Sequence, residues 1–142
     1  MLISAILRRK GSTVVTVRPQ ATVTELLSIF SGHNIGAAVV SEDGMAILGI
    51  ASERDVVRHL HQRGPVVLTE PVSSIMTTPV RTCTPDADAG DLRQTMTDHR
   101  VRHVPVVTDG RLAGIVSIGD VVKSAIEELE AEKAYLVDYL HG

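Results

Sequence analysis

Apolar and polar positions follow one another in an order that occurs twice along the chain. Each copy begins with a short β-branched run, at 13–17 and at 80–83, and a proline follows each run two residues later. Because proline cannot donate a ladder hydrogen bond, each run predicts a short strand that stops there. Apolar residues at helical spacing come next, most clearly Val23, Leu26 and Phe30, and the second copy has a sparser stripe. Each copy therefore predicts a strand followed by a helix.

The starts of these two helices carry capping signals. Thr22 with Glu25 three residues later forms a capping box, and Asp88 with Asp91 is its acidic equivalent. We expect a helix of about three turns after each signal.

Continuous apolar runs then predict buried strands. The runs 35–40 and 101–107 have too little alternation for half-exposed strands, which favours strands covered on both faces. An Asp-Gly pair after each run predicts a hairpin turn into a second strand. The pairs are Asp43-Gly44 and Asp109-Gly110, and the second strands are 46–51 and 112–116.

A second helix follows in each copy, capped by Ser52 or Ser117, so the unit β-α-β-β-α occurs twice. Pro19 and Pro85 align at an offset of 66 residues. The expected fold class is α/β (α+β), with two repeats related by a pseudo-two-fold axis. The predicted parts are repeat 1 with an N-terminal helix (1–62), a linker with a short helix (63–76), and repeat 2 with an extended C-terminal helix (77–142).

That last helix is predicted over 118–140, with an apolar stripe that includes Leu129, Leu136 and Leu140. Two interpretations of the stripe are open: the helix packs on its own sheet, or its end is a dimerisation arm.

Composition narrows the functional classes. The 142 residues are 44% hydrophobic and 22% charged with a net charge of −3, which is typical of one globular unit. Aromatic residues are only 2%, which argues against stacking on single-stranded nucleic acid, and no apolar run is long enough for a membrane span. A single cysteine, Cys83, favours a reducing compartment, and we expect the cytoplasm. The histidine spacing predicts no metal site.

The repeated pattern resembles the cystathionine β-synthase (CBS) domain, and the pair resembles a Bateman module of the stand-alone bacterial type. The residues that carry the resemblance are Arg102-His103-Val104-Pro105-Val106 and the Ser-x-x-Asp sequences that start at Ser52 and Ser117. The resemblance covers residues 13–127. It implies a sensor of adenine-containing ligands in clefts between the repeats, with no catalytic residues.

Two Ser-x-x-Asp pairs are the central candidates for binding. Taken alone, Ser52 with Asp55 and Ser117 with Asp120 are most simply capping boxes. The resemblance favours ribose recognition by the two aspartates, with the serines capping the helices and donating to phosphate.

Phosphate contacts are expected to differ between the two clefts. The resemblance directs Arg102 and His103 towards phosphates in the second copy. The first copy has Gly36 and Ala37 there, so Arg54 is the expected supplier of charge for its ligand.

The adenine is expected in an apolar slot, although core packing would also explain these residues. The implied slot residues are Ile35 and Ala37 in one cleft, Val101 and Pro105 in the other, with backbone from Thr13 to Val15 and from Val80 to Arg81.

The sequence therefore predicts a regulatory module that binds AMP, ADP, ATP or NAD, needs no cofactor, and acts on an unidentified effector protein in trans. A homodimer is expected. Two alternatives stay open: a dimeric scaffold with no ligand, and, more remotely, a slow nucleotide hydrolase that uses His103 as a base.

Overall fold

A computed structural model describes all 142 residues and contains five α-helices and five strands. The helices are α1 (Ile3–Lys10), α2 (Val23–His33), α3 (Glu53–Arg63), α4 (Ala89–His99) and α5 (Ile118–His141). The strands are β1 (Thr16–Val17), β2 (Ala37–Val40), β3 (Gly49–Ser52), β4 (His103–Thr108) and β5 (Arg111–Ser117). Two 3-10 turns, Pro65–Thr69 and Val72–Ser74, join the halves. The predicted mixed α/β fold with two repeats and a long C-terminal helix is confirmed.

The helix starts follow the predicted caps. Thr22, Ser52 and Ser117 each accept a hydrogen bond from the backbone N–H three residues later within a complete capping box. The Asp88 side chain accepts from the backbone N–H of Asp91. Local sequence alone was sufficient here because a cap satisfies backbone groups within one turn.

The first strand of each repeat is shorter than predicted. In repeat 1 only Thr16 and Val17 pair with β2, in parallel. The predicted strand 80–83 is wrong: only Cys83 joins the sheet, through a parallel bridge to Val106. Its N–H donates to the Pro105 carbonyl over 3.0 Å, and its carbonyl accepts from Val107 N–H over 2.8 Å. Prolines flank this segment, two of its four residues are exposed and none is fully buried, so few residues gain from sheet pairing.

Only one of the two Asp-Gly pairs forms a hairpin turn. Asp109 and Gly110 both have positive φ, 52° and 75°, and they join β4 directly to β5. The prediction for Asp43-Gly44 is wrong, because β2 ends at Val40 and β3 begins only at Gly49. The Asp43 carboxylate instead accepts backbone hydrogen bonds within the loop, from Met45 and Ala46.

The segment that precedes each repeat along the chain packs in the apolar core of the other repeat. The core of repeat 1 contains Val72 from the connecting segment, whereas the core of repeat 2 contains Ile3 from α1. Both side chains are fully buried. Their backbone N–H groups donate to equivalent carbonyls, Ile3 to Ala87 and Val72 to Ala21. Thus α1 precedes repeat 1 along the chain but packs in repeat 2, so the halves are interlocked.

The C-terminal helix leaves the body of the molecule. Val121 and Ser124 are buried, but every residue from Glu128 onward is exposed. Leu129, Leu136 and Leu140 have more than half of their side-chain surface in solvent. None of the helices combines the length and hydropathy needed to cross a membrane.

Candidate functional site

A cleft of about 460 Å³ lies between the two repeats. We call it the Asp55 cleft. One side is formed by the start of β2 and the N-terminal turn of α3, and the other by residues 99–103 between α4 and β4. Thr77, from the segment between the repeats, completes it. Each repeat thus contributes one wall.

Asp55 is a buried carboxylate in this cleft, with 5% of its surface exposed. Its Oδ2 accepts from the backbone N–H and the hydroxyl of Ser52, over 2.9 and 3.0 Å. Its Oδ1 accepts from the Thr77 hydroxyl over 3.0 Å. Since a carboxylate has about four acceptor positions, one more hydrogen bond can be accepted from a ligand.

Basic side chains dominate the rest of the lining. Repeat 1 provides two from α3, and repeat 2 provides four from the opposite wall. They are Arg54, Arg58, His99, Arg100, Arg102 and His103. Glu53 and Asp55 are the only carboxylates in the lining, so the four arginines leave a positive excess. Such a cleft attracts anions, and arginine can bind phosphate through two parallel hydrogen bonds.

This arrangement corrects the expectation of separate basic groups for two clefts. The resemblance implies a different cleft for Arg102 and His103 than for Arg54, but all three line the Asp55 cleft. The reason is that the repeats face one another, so the segment before β4 lies opposite the N-terminal end of α3.

His103 is positioned to respond to a bound anion. Burial lowers its pKa, with further lowering by Lys10 and Arg102, while Asp120 and Glu53 act in the opposite direction. The imidazole is therefore mostly neutral at pH 7 in the ligand-free protein. A phosphate beside it would favour the charged form.

Asp120, the counterpart of Asp55, has different surroundings. Lys10 Nζ lies 2.6 Å from Asp120 Oδ2 and also donates to the Ile115 carbonyl over 2.9 Å. Burial raises the pKa of Asp120, but the Lys10 and Ser117 hydrogen bonds outweigh it, and the net pKa is lowered. The pocket here is about 120 Å³.

Half of the predicted site residues line the Asp55 cleft and half do not. Those that line it are Gly36, Ala37, Ser52, Arg54, Asp55, Val101, Arg102 and His103. Those outside it are Thr13, Val15, Ile35, Val80, Arg81, Pro105, Ser117 and Asp120. Pro105 is buried beside Ile115 in the β4–β5 ladder, and an Arg81 guanidinium nitrogen lies 3.1 Å from His99 Nδ1.

Sequence reasoning missed six lining residues. They are Ile50, Glu53, Arg58, Thr77, His99 and Arg100. Arg58 had a signal, because it lies one helical turn after Arg54. Thr77 had none, because its contact with Asp55 joins residues 22 positions apart. Arg100 adopts a left-handed conformation (φ 54°) at the end of α4, where glycine or asparagine is usual.

Cys83 lies outside the cleft and is half-buried. Burial raises the pKa of its thiol to about 11, so the reactive thiolate is scarce at neutral pH. No three His, Cys, Asp or Glu side chains are grouped as metal ligands.

Comparison with known proteins identifies close relatives. The CBS domain family model matches residues 4–62 and 72–127. The CBS domain-containing protein CBSX3, mitochondrial, of Arabidopsis thaliana is 34% identical over 148 residues, which cover 99% of this chain and 72% of that protein. The crystal structure of the CBS-domain containing protein ATU1752 from Agrobacterium tumefaciens has a TM-score of 0.85 and 42% identity, covering 88% of this chain and 99% of that one.

A third relative was solved with ligands. The CBS domain pair of protein MJ0100, in complex with 5′-methylthioadenosine and S-adenosyl-L-methionine, has a TM-score of 0.76 and 25% identity. The match covers 87% of this chain and 98% of that one.

Proposed function

The chain belongs to the CBS-domain family, and on that premise we propose that it is a regulatory module that binds an adenine nucleotide in the Asp55 cleft. One observation carries the proposal: in a cleft of about 460 Å³, a buried carboxylate on one repeat lies opposite a group of arginine and histidine side chains on the other. Small-molecule and cofactor sites typically have volumes of about 300–1,000 Å³, and the Asp55 cleft lies in this range.

Each part of a nucleotide has a chemical counterpart in the cleft. Asp55 accepts a hydrogen bond from a ribose hydroxyl, and the arginines bind phosphate. The apolar lining residues Ala37, Ile50 and Val101 offer contacts for the adenine ring. A ligand bound in this way spans both repeats.

Charge separates the candidate ligands. The MJ0100 pair was solved with 5′-methylthioadenosine and S-adenosyl-L-methionine, which both contain adenosine but lack phosphate. Four arginines against two carboxylates in the present cleft repel the sulfonium cation and favour phosphate. We therefore favour AMP, ADP, ATP or NAD.

Regulation follows from the position of the ligand between the repeats. A ligand with contacts on both walls stabilises the arrangement in which both sets of contacts form. An effector protein that binds this arrangement better than others would then respond in trans to nucleotide concentration.

The exposed part of α5 supports a homodimer. Six residues of α5 are spaced alternately by four and three positions. Five are apolar and the fourth in order is a lysine: Val122, Ile126, Leu129, Lys133, Leu136 and Leu140. These six residues form one seam with the heptad spacing of a coiled coil. Lys133, at a core position, would select register at a cost in stability. The occupant of the seam is a second copy of this chain.

Thermal unfolding in the presence of AMP, ADP, ATP, NAD, GTP and S-adenosyl-L-methionine tests the ligand proposal. A nucleotide at 100 times its dissociation constant stabilises the protein by about 2.7 kcal/mol. We expect a saturable rise in Tm with an adenylate, and Asp55→Asn should need at least about tenfold more of that adenylate for the same rise. No rise with any adenylate at millimolar concentration would favour the scaffold, for which the exposed α5 seam is the supporting observation. Release of inorganic phosphate on long incubation would instead show an enzyme.

A further inference from the structure

We propose that only one of the two related clefts accepts a ligand, because Lys10 acts as an internal substitute for a ligand at Asp120. This inference rests on the proposed function and adds the number of ligands per chain. It makes Lys10 the residue that determines stoichiometry.

The pseudo-symmetry shows what Lys10 replaces. Thr77, which donates to Asp55, corresponds to Gly11 when counted from the aligned prolines and to Arg8 when counted from Ile3 and Val72. Neither residue donates to Asp120. Lys10, which lies between them, supplies the donor, with its ammonium 2.6 Å from Asp120 Oδ2.

A difference in length places Lys10 there. Pro19 comes 16 positions after Ile3, whereas Pro85 comes only 13 positions after Val72, although Ile3 and Val72 dock equivalently. Three extra residues are nearly one helical turn. The helix α1 therefore has eight residues where the other half has a three-residue 3-10 turn, and Lys10 is its last residue.

Packing holds this turn of α1 over β5. The Leu7 side chain lies so close to Gly114 that a Cβ there would be 2.8 Å from Leu7 Cδ2. Lys10 Nζ also donates to the Ile115 carbonyl over 2.9 Å. On the same helix, Arg9 forms an ion pair with Glu127 of α5. Lys10 thus reaches Asp120 from a helix end attached at three points.

Limited space and an occupied carboxylate both oppose a ribose at Asp120. The pocket that Asp120 lines is about 120 Å³ and lies between α1 and α5; it is well below the 300 Å³ at the lower limit of ligand sites, whereas the Asp55 cleft between the repeats exceeds that limit. The ammonium and the Ser117 backbone N–H both donate to Oδ2 of Asp120, so a ribose hydroxyl could approach the carboxylate only on the Oδ1 side, beside the Lys10 charge. The lowered pKa of Asp120 agrees with a carboxylate stabilised by Lys10.

Calorimetric titration with AMP and, separately, with ATP tests the inference on five proteins. They are the wild type, Asp55→Asn, Asp120→Asn, Lys10→Ala and the control Arg9→Ala, which removes a neighbouring cation of α1 that contacts Glu127. We expect one site per chain in the wild type. Asp55→Asn weakens binding at least about tenfold, as for a lost hydrogen bond to a charged group. Asp120→Asn and Arg9→Ala leave the affinity within about twofold, and Lys10→Ala gains a second, weaker site.

Two sites in the wild type, a site of wild-type affinity in Asp55→Asn, or loss of binding in Asp120→Asn would overturn the inference while leaving the proposed function intact. A single site in Lys10→Ala and also in Lys10→Met, both folded by thermal unfolding, would show that Lys10 does not close the second cleft.

An NMR titration of the Asp120 carboxyl carbon separates failure of the proposed function from failure of the inference. If AMP, ADP, ATP and NAD all fail to bind the wild type, the proposed function fails. A rise in the Asp120 pKa in Lys10→Ala, but not in Arg9→Ala, would still support the internal ion pair. An unchanged pKa would overturn it.

Discussion

The Thr77 hydroxyl donates a hydrogen bond to Asp55 Oδ1 over 3.0 Å and so connects the segment before repeat 2 to the N-terminal turn of α3. The Asp55 carboxylate otherwise accepts only from Ser52, within its own capping box. This contact orients the free side of a buried carboxylate towards the cleft between the repeats. Thr77 is therefore a positioning residue for the proposed ribose contact.

Replacement of Thr77 by valine removes the hydroxyl and keeps the shape of the side chain. We expect a loss of about 1 kcal/mol in the free energy of unfolding, because a buried acceptor loses one partner. AMP affinity should also fall, since Asp55 is no longer held on both sides. Urea unfolding and calorimetry measure the two effects. Thr82→Val, at an exposed threonine, is the matched control. Equal effects of both substitutions would contradict the role given to Thr77.

Arg102 should distinguish nucleotides from nucleosides. In Arg102→Ala we expect ATP to bind about tenfold more weakly, because a charge-assisted hydrogen bond is lost. Adenosine has no phosphate, and its affinity should change by less than about twofold. Competition binding measures both ligands, and Arg111→Ala, on the exposed hairpin, is the control. A similar loss for adenosine would place Arg102 away from the phosphates.

His103 should make ATP binding depend on pH. Its pKa is lowered by burial, Lys10 and Arg102, so the free protein resists protonation of the ring. A bound phosphate favours the imidazolium, so binding takes up a proton and the affinity rises as the pH falls from 7.5 to 6. His103→Gln lacks this contribution. The ratio of the ATP affinity at pH 6 to that at pH 7.5 should therefore be about threefold lower in the variant than in the wild type. Parallel pH profiles would exclude His103 from the phosphate contacts.

The lowered pKa of His103 also makes the free energy of unfolding depend on pH. Between its ordinary pKa of 6.5 and its lowered folded value, the unfolded chain binds more protons at His103 than the folded protein does. The contribution is therefore fully present above pH 6.5 and is lost as the pH falls through this window. Urea unfolding from pH 7.5 to 5 should show a smaller loss of stability in His103→Gln than in the wild type. A steeper loss in the variant would mean that the ring is charged in the native state.

Cys83 should react slowly with thiol reagents in the folded protein. With a pKa of about 11, its thiolate fraction at pH 8 is roughly a hundredfold below that of an ordinary exposed cysteine. Alkylation by iodoacetamide, followed by mass spectrometry, should be slow in buffer and fast in 6 M urea. The chain's single thiol makes the result unambiguous. Rapid modification of the native protein would show that Cys83 is accessible and ionised.

The seam on α5 predicts the oligomeric state. Leu136→Glu places a carboxylate in the proposed interface, and we expect the variant to elute with the mass of one 15.2 kDa chain. Tyr135→Glu is the matched control, because Tyr135 is 70% exposed but lies outside the heptad positions. Light scattering coupled to size exclusion measures both masses. A monomeric wild type, or dissociation caused equally by Tyr135→Glu, would contradict the coiled-coil seam.

Local signals in the sequence determined the repeated unit, the helix starts and the α/β class. Each of these depends on residues within a few positions of one another: a hydroxyl or carboxylate that caps the next turn, a proline that ends a strand, an apolar run that requires cover on both faces. The two aspartates of the Ser-x-x-Asp pairs were found by the same reasoning. The prediction of a hairpin turn at Asp43-Gly44 was wrong, because the same dipeptide forms a tight hairpin turn in one repeat and part of a longer loop in the other.

Only the tertiary structure decided which repeat each leading segment packs on and how the two clefts differ. Ile3 packs in the core of repeat 2, and Lys10 is thereby brought to Asp120, 110 positions away. In the other half Thr77 meets Asp55, and Arg102 comes to lie across from Arg54. These contacts form because two cores bury their apolar segments against each other, a global balance that no local pattern encodes. The sequence determined two equivalent aspartates, and packing made them unequal.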